Sequence, residues 1–162
     1  MRNPTEEVTM SQHYATVEWQ RHQAKFVDNQ YSREHLWKFD GGAEIAASSS
    51  PQVVPVPYSN AEYVDPEEAF IASLSSCHML WFLSIAAKRK FVVESYTDRA
   101  VGVMSKNEEG KLAITSVHLY PQVIFGKDHL PTQEQIETMH EEAHHSCFLA
   151  SSVKAAVIIE KE

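Results

Sequence analysis

The stretch Met79-Leu80-Trp81-Phe82-Leu83-Ser84-Ile85-Ala86-Ala87 constrains the fold more than any other part of this chain. Wound at 3.6 residues per turn it is apolar on nearly every side, and such a helix belongs at the centre of a protein or against a partner. Its start is well marked. Asp65 is the expected N-cap, Pro66 takes the first helical position, and Glu68 closes an Asp-x-x-Glu box. Lys88-Arg89-Lys90 follows where the helix should end, and its charge suits the negative end of the helix dipole.

Around this helix the periodicity is that of strands. Tyr14 to Trp19 alternates, Leu36, Trp37 and Phe39 mark a second strand ending at Asp40-Gly41-Gly42, and a third is expected around Ala43 to Ala47. Ser48 to Tyr63 contains Pro51, Pro55 and Pro57, so it is read as a long ordered loop. Beyond Phe91 the extended segments are Phe91 to Tyr96, Ala100 to Met104, Leu112 to Tyr120 and Val123 to Phe125, with a hairpin turn at Lys106 to Gly110. Thr132 caps a second helix, with Gln135 completing a capping box, and Val153 to Ile159 is a last strand. The order reads strand-strand-strand-helix-strand-strand-helix-strand, an α+β class.

With 162 residues the chain is expected to form one domain over 1–162, or one protomer of an intertwined oligomer, with Met1 to Ser11 flexible. A formal net charge of −8 and no basic patch argue against nucleic-acid or anionic-membrane partners. The N-terminus lacks the apolar core of a signal peptide, and the longest uninterrupted apolar run, Met79 to Leu83, is too short to span a bilayer, so a cytoplasmic location is expected.

Two cysteines, Cys77 and Cys147, each lie on or beside a helix. In a reducing compartment they are inert core residues, metal ligands, or a redox pair. Ser73, Ser75, Ser76 and His78 surround Cys77 in sequence with hydrogen-bonding groups that a structural thiol does not need. A zinc site from Cys77, His78, Cys147 and His144 or His145 has suitable ligand types, but adjacent helical residues point about 100° apart, which disfavours Cys77 and His78 sharing one ion.

The pattern Asp-Pro-Glu-Glu, then Cys77 nine residues on inside an apolar helix, then Cys147 seventy residues later before a small, Ser-containing stretch, resembles the OsmC/Ohr family of thiol-dependent peroxidases. The resemblance covers most of the chain. It implies an intertwined homodimer with central apolar helices, Cys77 as the peroxidatic residue, Cys147 as the resolving one, and Glu67 as a carboxylate that holds an activating arginine. Arg33 is the preferred arginine and Arg21 the alternative, the other reading being that neither reaches the sulfur and Arg33 is a solvated turn residue paired with Glu34 or Asp28; this part of the chain departs from the family pattern. His78 departs too, since relatives more often carry an apolar or aromatic residue there, and His144 and His145 lie close to Cys147 in sequence.

Glu67 and Cys77 are ten residues apart, roughly 15 Å along a helix. If Glu67 takes part, it is therefore expected to act mostly across a subunit interface; otherwise it serves only the helix dipole. The resulting expectation is a homodimeric peroxidase for organic hydroperoxides or hydrogen peroxide, with no bound cofactor or metal, recycled by an external dithiol reductant. The alternatives are a non-enzymatic small-molecule or partner-binding protein of the same fold with structural cysteines, and a zinc-binding structural module.

Overall fold

The computed structural model describes residues 10–161. The flexibility expected of the N-terminal residues falls, for 1–9, outside the described residues. The chain forms two compact units, one extending to Pro66 and the other beginning at Glu67.

In the first unit β1 (Ala15–Glu18), β2 (His35–Phe39) and β3 (Glu44–Ala47) form an antiparallel sheet in that order. Val17 lies opposite Trp37, and Trp37 opposite Ile45. Gly42, at φ +87°, makes the β2–β3 turn in a backbone region that costs a glycine nothing. Residues 48–63 hold no regular strand or helix, as the prolines require. The loop is pinned by the buried Ser48, whose Oγ accepts the Asn60 N–H at 3.0 Å, and by a parallel bridge between Ala47 and Val64.

The second unit is built on α1 (Pro66–Lys88) and α2 (Gln133–Ser146). Four strands lie between the helices where the expected order counted two: β4 (Val93–Asp98), β5 (Val101–Lys106), β6 (Leu112–Leu119) and β7 (Pro121–Phe125). β5 and β6 are the expected hairpin, while β4 pairs antiparallel with β7. β8 (Ala156–Ile159) pairs parallel with β6, giving the order β5-β6-β8. Two strand starts are later than expected. Lys90 adopts φ +65° after α1, which turns Phe91 into the core before β4 begins, and a 3-10 turn at Ala150–Ser152 delays β8.

α1 is buried on two sides by different partners. Phe82, Ile85 and Ala86 pack with Met139 and Ala143 of α2, while Leu74 packs with Val117 and Leu119 of β6. Each such large side chain contributes about 1.5–3 kcal/mol on burial. By length and composition α1 would also suffice to cross a membrane, with a mean hydropathy of 1.6, although its uninterrupted apolar run alone is too short. Only 28% of its most apolar stretch is buried within this chain.

Candidate functional site

The two cysteines meet. Cys77 sits in the middle of α1 and Cys147 is the C-cap of α2, with extended backbone angles that turn its side chain off the helix end. Their sulfurs are 2.7 Å apart, the Cys147 S–H donating to Cys77 Sγ, and both thiols are free. Cys77 is half-buried, whereas Cys147 is 1% exposed. Burial raises the Cys147 pKa above the ordinary thiol value, and donation to the Cys77 sulfur raises it further. The Ala150 N–H, 3.4 Å from Cys147 Sγ, acts in the opposite direction. The Cys147 thiol therefore holds its proton more tightly than an ordinary cysteine.

An aromatic pair flanks the thiols. Trp81, one helical turn beyond Cys77, meets the ring of Phe148, the neighbour of Cys147, edge to face with centroids 5.5 Å apart. Phe148 is largely exposed, so the pair gives this region an apolar face that solvent and small molecules reach.

The hydroxyls and the imidazole near Cys77 in sequence are engaged elsewhere. Ser73 Oγ donates to the Phe70 carbonyl and Ser76 Oγ to the Ser73 carbonyl, the local back-bonding that helical serines favour. Ser75 Oγ donates to the Asp98 carboxylate. His78, 1% exposed, places Nε2 at 3.0 Å from His140 Nδ1 of α2. Of the polar groups around Cys77 read from the sequence, Ser73 and Ser76 therefore bond within α1, Ser75 and His78 tie α1 to β4 and α2, and the sulfur itself meets Cys147.

His140 was missed in the sequence, although it stands seven residues before Cys147, two turns along the same helix. Its ring stacks on Phe82 at 4.2 Å and lies parallel to His78. Burial, then the neighbouring His140 and His144, lower the His78 pKa to about 3. Burial lowers that of His140 to about 4, against a smaller opposing pull from Asp98. His144, expected near the thiols, has a buried Nδ1 without a hydrogen-bond partner, as does His78. His140, His144 and His145 line a cavity of about 290 Å³ between α2 and β7, floored by Val123, Phe125 and Ile136.

The other predicted site residues are separate in character. Glu67 stands half-buried in the first turn of α1, and the helix is continuous from there to Cys77, so the ten-residue rise is kept. Arg33 and Arg21 belong to the first unit. The Arg33 guanidinium donates to the carbonyls of Asn29 and Tyr31 and to Asn29 Oδ1, and lies 3.8 Å over the Tyr31 ring. Arg21 donates to the Ala24 carbonyl at 2.9 Å. Among the described residues, no cluster of three or more His, Cys, Asp or Glu side chains is arranged to hold a metal ion.

Comparison with known proteins agrees with this architecture. No curated protein matches the chain significantly. A solved OsmC-like protein of unknown function from Vibrio cholerae is 58% identical, with a TM-score of 0.92 over 93% of this chain and 99% of that one. At 19% and 16% identity the fold is shared with organic hydroperoxide resistance proteins of Elizabethkingia anophelis (TM-score 0.68, covering 94% of this chain and 95% of that one) and Bacillus subtilis (0.62, 94% and 98%). The profile of the family described as OsmC-like protein matches residues 59–162, and the chain belongs to that family.

Proposed function

We propose that this protein is a thiol-dependent peroxidase that reduces organic hydroperoxides or hydrogen peroxide. The observation that carries the reading is the pair of free thiols 2.7 Å apart, one half-buried and the other buried. The fold is that of a family in which some members are named for organic hydroperoxide resistance.

In this reading the Cys77 thiolate attacks the terminal peroxide oxygen. The O–O bond breaks, the alkoxide leaves and takes up a proton, and Cys77 becomes a sulfenic acid, two electrons having passed to the peroxide. Cys147 then attacks the oxidised sulfur, a disulfide forms, and water departs with the Cys147 proton. An external dithiol reduces the disulfide and restores both thiols. The apolar face made by Trp81 and Phe148 favours peroxides with a carbon substituent.

The cation that favours the Cys77 thiolate in this reading is an arginine, Arg33 in preference to Arg21, which would exchange its local bonds to Asn29 and Tyr31 for Glu67 of a second chain in an intertwined homodimer. The low internal burial of α1 and the 62% exposure of Leu80 support such a partner. The reducing cytoplasm is the compartment in which the pair would cycle.

Adding a hydroperoxide to the reduced protein should consume both thiols with one equivalent of oxidant. Cys77→Ser should abolish the reaction, and Cys147→Ser should leave Cys77 overoxidised to the sulfinic acid. An unchanged free-thiol titre would refute the reading. It would favour the second one, a non-enzymatic small-molecule binding protein using the 290 Å³ cavity between α2 and β7.

A further inference from the structure

We propose a second reactive site on the β5-β6-β8 sheet, in which Ser116 is a nucleophile toward activated esters, with His118 as its base and Glu160 orienting that base. Ser116 and His118 are two residues apart on β6, so their side chains leave the same face of the sheet. The intervening Val117 and the following Leu119 are fully buried on the other face. Ser116 Oγ lies 3.1 Å from His118 Nε2, and His118 Nδ1 lies 2.6 Å from Glu160 Oε1.

The backbone explains why these three groups meet. β8 runs parallel to β6 with Ile158 beside His118, and the Glu160 N–H donates to the Leu119 carbonyl at 2.9 Å. Glu160 is thereby fixed just past the strand end, within reach of the imidazole. A carboxylate on Nδ1 selects the tautomer with hydrogen on that nitrogen and leaves Nε2 as an acceptor facing the serine hydroxyl. Nucleophile, base and orienting acid then stand in the relation that activates a serine.

Two further observations favour reactivity over a plain hydrogen-bond chain. The β5–β6 register shifts between Val103, opposite Ser116, and Met104, opposite Ile114. Thr115 is therefore a bulge residue immediately before the serine, an irregularity found often beside active sites because it re-aims a side chain. The site is also open: the His118 and Glu160 side chains are 25% and 36% exposed, and Val101 and Val103, opposite His118 and Ser116, are 50% and 41% exposed. These apolar neighbours fit a short hydrocarbon acyl or alkyl group.

In the reaction Ser116 Oγ bonds to the ester carbonyl carbon as its proton passes to His118 Nε2. The carbon–oxygen bond to the leaving group breaks, that group takes the proton, and Ser116 is left acylated until water releases the acid. Ser116 stands on a strand and not at a helix N-terminus, so the oxyanion gains little stabilisation and acylation is expected to be slow.

The test uses an alkyl fluorophosphonate, which phosphonylates activated serines with loss of fluoride and spares thiols. The intact wild-type chain should take up one label, located by peptide mass spectrometry at Ser116. Ser116→Ala should remove it, and His118→Gln should slow it by on the order of 100-fold. Glu160→Gln should slow it less, while circular dichroism and hydroperoxide consumption stay those of wild type. Absence of label at Ser116, or an unchanged labelling rate in folded His118→Gln, would overturn the proposal.

Discussion

Lowering the pH from 7 to 5 should destabilise this protein by about 3–4 kcal/mol through two imidazoles. His78 and His140 have pKa values lowered to about 3 and about 4 from an ordinary 6.5. In the unfolded chain both regain that ordinary value and are almost fully protonated at pH 5; in the folded protein both stay neutral. Because the folded pKa values are depressed, their contribution to stability is complete above pH 6.5 and is lost as the pH falls toward 4 and then 3. At 1.36 kcal/mol per pKa unit, charging one unfolded imidazole between pH 7 and 5 shifts the balance by about 2 kcal/mol. Two give about 4, and residual solvent at His140 trims the sum toward 3. Urea unfolding followed by circular dichroism at pH 7, 6 and 5, at one protein concentration, measures this directly. The double variant His78→Gln/His140→Gln cannot titrate and should lose most of the pH dependence. If it loses as much stability between pH 7 and 5 as wild type, the imidazole pair is not the cause.

Two other outcomes follow from the same packing. An alanine at Gly102 would place its Cβ 2.6 Å from Ile71 Cδ1 and 2.8 Å from Cγ1. Gly102→Ala should therefore cost about 1–2 kcal/mol in urea unfolding, and Ile71→Val in the same chain should recover part of it. In the reduced protein iodoacetamide should modify Cys77 at least about tenfold faster than Cys147, read by peptide mass spectrometry, because Cys147 is sealed and its thiol is pushed up. Equal rates would show that the two environments do not differ in solution.

Much of the local structure was legible because it depends on residues close in sequence. Pro66 fixes the start of α1, and Thr132 with Gln135 forms both bonds of the capping box that begins α2. The pairing of β4 with β7, and the parallel pairing of β6 with β8, joins segments whose alternation says which face is buried but not which strand lies alongside. The candidate site divides in the same way. Cys77 and Cys147 stood out as rare residues in helical settings, and the family resemblance supplied their pairing. Ser73, Ser75 and Ser76 misled because a serine hydroxyl on a helix can bond to the preceding turn, or to an element distant in sequence, as readily as to a sulfur. His140 escaped because an imidazole on a helix otherwise rich in Glu and His reads as surface, until Phe82 and His78 are seen to cover it.

The thiol pair and the imidazole pair are one mechanical device. Cys77 and His78 are adjacent on α1, so their side chains leave the helix axis about 100° apart, and each has a different contact on α2. Cys77 meets the C-cap residue and His78 meets His140, two turns earlier. Rolling α1 far enough to part the sulfurs would also pull His78 Nε2 off its partner inside the core, where an unmade hydrogen bond costs about 1–3 kcal/mol. The buried histidines therefore fix the roll of α1 that keeps Cys77 facing Cys147.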